Sequence, residues 1–138
     1  MAGFRQDTKI QALKRAPLFE GLSKRQLTEV ARLTDDVEVE AGHVLCREGE
    51  PGREFFVLLD GEVEINRDGR SLGRRAAPDY FGEIALVERV PRTATVSATT
   101  PLRFFVLTRQ AFQRLLDDHP AIERSVLRTL ARRVLRPE

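Results

Sequence analysis

Between residues 37 and 107 the hydrophobic period changes from helical to alternating, and this constrains the fold more than any other feature. Val37-Glu38-Val39-Glu40 alternates apolar and charged side chains, as does Val63-Glu64-Ile65. Ala41-Gly42, Glu50-Pro51-Gly52, Asp60-Gly61 and Asp68-Gly69 punctuate the stretch as turns. Asp60-Gly61 lies between two strand-like runs, the place for a tight hairpin. Residues 93–98 and 102–107 read as two more strands, joined through Thr99-Thr100-Pro101. Strands spaced roughly eight to twelve residues apart, with glycine-rich turns, predict a sandwich or barrel.

The flanks are helical. Ile10, Leu13 and Lys14 fall at helical spacing and Pro17 ends the run. Ser23, with Gln26 three residues on, predicts a capping box. Leu27, Val30, Ala31 and Leu33/Thr34 then form the buried face of that helix, with Leu22 and Leu27 placed as a hydrophobic staple. Thr108 is placed to cap a helix, and Pro120 to start a last one, with Ile122, Val126, Leu127, Leu130 and Val134 as its apolar stripe. The predicted fold is mainly β: an antiparallel, jelly-roll-like β-roll with N-terminal helices and two C-terminal helices. A single domain over 1–138 is expected, with helical segment 1–36, β-roll 37–107 and helices 108–138.

The 138 residues suffice for one domain with a real core. A net charge of +2 is too weak a bias to argue for nucleic acid or a membrane surface, and arginines cluster only near the end, at Arg124, Arg128, Arg132, Arg133 and Arg136. The lone Cys46 excludes an intrachain disulfide and reads as a small core residue. The N-terminal stretch carries no secretory leader pattern, and no window is as long and apolar as a membrane span. A cytoplasmic protein, or a module of a larger one, is expected.

The densest stretch is FGEIALVERVPRTATV, residues 81–96. Gly82 lets the backbone approach a ligand closely, and residues 84–87 can form a short helix whose first N–H groups face an anion. Arg92 lies beyond that turn and can fold back on the same anion, with a planar fork suited to phosphate. Glu83 would repel a phosphate that it touched. It fits a ligand that also offers a neutral hydroxyl, such as a ribose 2′-OH, and the pair points to a nucleotide. Each residue alone has a plainer reading: Glu83 as a favourable first-turn charge, Arg92 as a surface ion-pair partner, Gly82 as a turn residue.

Taken together, this stretch resembles the phosphate-binding cassette of cyclic nucleotide-binding domains. That pattern runs Phe-Gly-Glu, an aliphatic residue, Ala-Leu, a variable loop, then Pro-Arg and a small-residue run ending in Val. EAGHVLCREGEPGREFFVLLDGEVEI is similar to the family's β-roll, with Gly42, Gly49, Gly52 and Gly61 at its glycine positions, and APLFEGLSKRQLTEVARL resembles its N-terminal helical segment. Pro78 stands where a glycine is frequent. The resemblance implies that Gly82 and Glu83 meet the ribose, with Glu83 on the 2′-OH. The amides around Ile84 and Ala85 would face the cyclic phosphate, Arg92 would pair with it, and Thr93 and Ala94 would follow along the wall. Val63 and Leu72 match positions near sugar and base. Leu130, Ala131, Arg133 and Val134 are candidates to close over the base.

The implied function is a regulatory sensor that binds cAMP in preference to cGMP and shifts its terminal helices. No cofactor beyond that ligand, no metal, no catalytic residue and no enzymatic activity are expected. The partner is a protein effector or an output domain outside this chain. No DNA-binding helix-turn-helix is expected within it, and the oligomeric state is open. Two alternatives are a protein–protein interaction module with an idle pocket and a cupin-type metal enzyme. The latter needs two or three histidines near a carboxylate, whereas His43 and His119 lie far apart.

Overall fold

A computed structural model describes residues 6–135, with side chains described to residue 132. Its contacts gather into two compact units, one of residues 35–109 and one of the described residues before and after them.

The helical unit contains α1 (Gln6–Leu13), a 3-10 turn at Pro17–Phe19, α2 (Lys24–Arg32), α3 (Arg109–Asp118, from its second residue on) and α4 (Pro120–Leu135). The expected capping box is formed: the Gln26 amide donates to Ser23 Oγ at 3.1 Å, and the Ser23 amide donates to Gln26 Oε1 at 2.9 Å. Leu27, Val30 and Ala31 are fully buried. Thr34, not the half-exposed Leu33, continues that face, its hydroxyl donating to the Ala31 carbonyl. The apolar stripe of α4 is narrower than expected. Ile122, Val126 and Thr129 are buried at successive helical turns, while Leu127, a third of a turn away, is 59% exposed. Gly21 approaches α4 closely: a Cβ there would stand 2.7 Å from Ser125 Oγ. Arg124, Arg128 and Arg132 are exposed at i, i+4 and i+8. The side chains of Arg133, Val134 and Arg136 lie outside the described residues.

The β unit has eight strands: β1 (Asp35–Val39), β2 (Val44–Cys46), β3 (Glu54–Asp60), β4 (Glu62–Arg67), β5 (Arg70–Ala76), β6 (Tyr80–Phe81), β7 (Thr95–Ala98) and β8 (Leu102–Thr108). They form two four-stranded antiparallel sheets, ordered β1-β8-β3-β6 and β2-β7-β4-β5. Phe56, Leu58 and Phe104 from the first sheet and Val63, Val96 and Ala98 from the second share one buried core. β1 begins two residues before the change of period, and β7 two residues later than expected.

Asp60-Gly61 is not a hairpin. β3 and β4 pair with different partners, so the chain changes sheet at this point. Gly61 makes the corner possible with φ of 102°, and a Cβ there would collide with the Pro101 carbonyl. The tight hairpin lies at Asp68-Gly69, both with positive φ, between β4 and β5 in the register Arg67↔Arg70. β5, RSLGRRA, is exposed throughout and shows no clean alternation; its pairing with β4 makes it a strand.

Candidate functional site

The site starts from an aromatic anchor. β6 pairs with β3 in the register Phe56↔Phe81, and the two rings stack 4.9 Å apart. Gly82 follows with φ of 86°, which turns the chain out of the strand. A Cβ there would stand 2.5 Å from Arg92 Nη1 and 2.7 Å from the Glu54 carbonyl, so only glycine fits without displacement. A single 3-10 turn, Glu83–Leu86, comes next, one residue earlier than the expected 84–87. The Ala85 amide donates to the Gly82 carbonyl at 3.0 Å, which leaves the Ile84 amide outside the turn's own ladder. Ala85 and Leu86 are buried and moor the turn.

The second arm returns through Pro91-Arg92. Pro91 bridges Pro51, the Arg92 amide donates to the Glu50 carbonyl at 2.8 Å, and the Gly49 amide donates to the Arg92 carbonyl at 2.8 Å. This backbone strap holds the half-buried Arg92 side chain. Its Nη2 donates to the Glu54 carbonyl at 2.7 Å and its Cζ lies 5.6 Å from the Phe56 ring centre. Gly52 and Gly82 both give it room, since a Cβ at Gly52 would come within 3.0 Å of Nε. No carboxylate forms an ion pair with Arg92 among the described residues.

The two arms border a cavity of about 460 Å³. Gly82, Ile84 and Ala85 line it from the turn, Arg92, Thr93 and Ala94 from the returning arm, and Leu72 from β5. Seven of the nine residues singled out in the sequence therefore meet at one place. Glu83 is half-buried in the turn and Val63 is fully buried in the core between the sheets; neither belongs to the cavity wall. Ile65 and Val96 give the cavity an apolar side, and Arg67, Arg74 and Arg75 also line it, Arg74 being paired with Glu62 at 3.2 Å. Arg74 and Arg75 were not legible in the sequence, because β5 lacks a strand pattern, and Arg67, the last residue of β4, was not marked either. Arg67 also steadies the returning arm, its Nε donating to the Thr93 carbonyl at 2.9 Å. Cys46 is partly buried against the core between the sheets and also lines the cavity, its thiol 3.8 Å from the Ala94 carbonyl. Burial pushes that thiol above its ordinary pKa, against the opposing pull of the Arg92 charge.

Arg109 is a further residue the sequence did not mark. Its Nη2 donates to the Gly52 carbonyl at 2.5 Å and the Glu88 carbonyl at 3.1 Å, and its Nε to the Ala85 carbonyl at 2.6 Å. The only local signal was its position at the junction of β8 and α3.

A positively charged recess, with spare helical-turn amides at one end and aliphatic side chains at the other, suits an anion joined to an apolar ring. Comparison with known proteins agrees. The profile of the "Cyclic nucleotide-binding domain" family matches residues 36–119. A CRP-like cAMP-activated global transcriptional regulator of Mycobacterium tuberculosis is 32% identical over 131 residues, covering 91% of this chain and 58% of that protein. A cGMP-dependent protein kinase of Caenorhabditis briggsae is 34% identical over 104 residues, 75% of this chain and 14% of the kinase. The chain thus spans little more than half of the first relative and a small part of the second. The crystal structure of the N-terminal domain of a transcriptional regulator from Streptomyces coelicolor A3(2) superposes with a TM-score of 0.80 at 33% identity, covering 89% of this chain and 90% of that one.

Proposed function

We propose that this chain, which belongs to the cyclic nucleotide-binding domain family, is a cytoplasmic sensor module that binds cAMP in preference to cGMP and passes occupancy to its terminal helices. The observation that carries the reading is Arg92, held on the cavity wall between two glycines with no carboxylate paired to it among the described residues. A guanidinium so placed offers its remaining donors to a phosphate.

In this reading Arg92 and the amides around Ile84 and Ala85 take the cyclic phosphate, and Glu83 accepts from the ribose 2′-OH. Thr93 and Ala94 follow the ligand along the wall, and Leu72 covers the base. The ligand shifts a population between two arrangements of the C-terminal helices. The output is a protein effector or a further domain, as in relatives whose names include a transcriptional regulator and a kinase. No helix of the described residues is long and apolar enough to cross a membrane.

Calorimetric titration of cAMP and of cGMP into the protein tests the reading, beside Arg92→Leu and Glu83→Ala. The expected result is tight binding of cAMP and weaker binding of cGMP, abolished in the first variant and reduced in the second. A folded protein that gives neither heat nor thermal shift with either nucleotide overturns it, and leaves the cavity idle in an interaction module.

A further inference from the structure

The 3-10 turn at Glu83–Leu86 is too short to hold itself. Four residues supply little internal hydrogen bonding, and the carbonyls at the C-terminal end of such a turn lack partners of their own. Two carbonyls at or beyond that end, Ala85 and Glu88, are taken by one side chain, Arg109. The same guanidinium takes the carbonyl of Gly52, whose Cα side faces the Arg92 guanidinium. Gly52 is thus clamped between two arginines, and its amide donates to the Val90 carbonyl at 3.0 Å. Both arms of the cassette, the turn and the Pro91-Arg92 return, are referred to a single side chain outside the cavity. Arg109 is itself fixed, since its amide donates to the Arg53 carbonyl at 2.8 Å. It is also the first residue of α3.

We infer that Arg109 is a positioning residue for nucleotide binding: it sets the spacing of the phosphate-facing turn and Arg92, and it registers both to the start of α3. This rests on the reading of the cavity as a nucleotide site. The planar fork is required, because three carbonyls in different directions are reached by Nε and Nη2 of one rigid group. A lysine keeps the charge but cannot span them. Arg109 touches no ligand in this scheme, so its contribution lies in preorganisation.

Arg109→Ala and Arg109→Lys test it, read by hydrogen exchange of the free protein and by cAMP titration. In Arg109→Ala, faster exchange is expected at residues 84–92, with β3, β4 and β8 still protected. The affinity for cAMP is expected to fall about tenfold or more, as for loss of charge-assisted hydrogen bonds, and to recover partly with added ethylguanidinium. Arg109→Lys, which preserves the stem and charge if the alanine variant does not fold, is expected to lose most of the same affinity. Wild-type affinity in the lysine variant overturns the inference. Loss of protection spread evenly over all strands, with no rescue by ethylguanidinium, also overturns it, since Arg109 would then be a general structural residue. If the wild-type protein binds neither nucleotide, the nucleotide reading fails separately. Exchange at 84–92 then decides the clamp alone: faster exchange there supports it, and unchanged exchange overturns it.

Discussion

The cavity has two walls built by opposite means. On the Arg92 side the shape is set by backbone: two glycines without side chains, an antiparallel strap through Pro51 and Pro91, and carbonyls of Glu54 and Gly52 taken by arginines. On the β5 side it is set by side chains of an edge strand that is exposed along its whole length, with Leu72 at 53% exposure. A wall made of backbone tolerates few substitutions and suits the part of a ligand that never varies, a phosphate. A wall of exposed side chains can change with little cost to the fold, and suits the part that does vary, a base.

The largest effect separating the walls is expected at Gly82. Gly82→Ala forces a side chain into a left-handed conformation against the Glu54 carbonyl and Arg92. A cost of about 2 kcal/mol is expected, measured as roughly a thirtyfold loss in nucleotide affinity by titration. Wild-type affinity would break the comparison, because the first wall would then yield as the second does. Thr93→Ala comes next. Thr93 lines the cavity beside Arg92; if its hydroxyl reaches the base of the proposed ligand, removal of one neutral hydrogen bond, worth about 1 kcal/mol, is expected to alter the ratio of cAMP to cGMP affinity. A ratio unchanged within twofold removes Thr93 from base selection. Leu72→Ala is expected to shift thermal stability by less than about 0.5 kcal/mol, as for an exposed position, and to weaken binding only a few-fold. A stability loss comparable to a core truncation would show that β5 is not free to vary. The smallest effect concerns Cys46, whose thiol burial pushes up. A raised pKa leaves less thiolate at neutral pH, so alkylation is expected to be slower than for a free thiol and to accelerate only in more alkaline solution. Saturating nucleotide is expected to slow it further; no protection would place the ligand away from the Ala94 side of the wall.

The sequence was most informative where backbone chemistry leaves a residue signature. Gly82, Arg92 and the run between them were legible as a group because the whole run resembles the phosphate-binding cassette, and Gly82 in particular because close approach of the backbone leaves no room for a side chain. The Ser23–Gln26 cap was legible from the spacing of its two residues. The sheet change at Gly61 was not, since Asp-Gly between apolar runs looks the same whether the chain folds back or crosses over; it is set by long-range strand pairing, β3 with β8 and β4 with β7. Arg109 was illegible because its partners are carbonyls, which every residue carries. Leu127 was wrongly placed because apolar spacing alone does not fix the width of a helix's buried face: the strip of α4 runs through Ile122, Val126 and Thr129, and Leu127 falls beside it.

The cassette leaves the chain between β6, in one sheet, and β7, in the other. A molecule gripped by both of its arms therefore acts as a stitch through the seam of the sandwich. It closes mechanically what the polypeptide leaves as a long excursion, and by mass action it adds RT ln(1 + [L]/Kd) to the folded state. Each tenfold rise of free nucleotide above Kd then contributes about 1.4 kcal/mol at 25 °C. That gain is felt by both sheets together, because neither can open along this seam without releasing the thread.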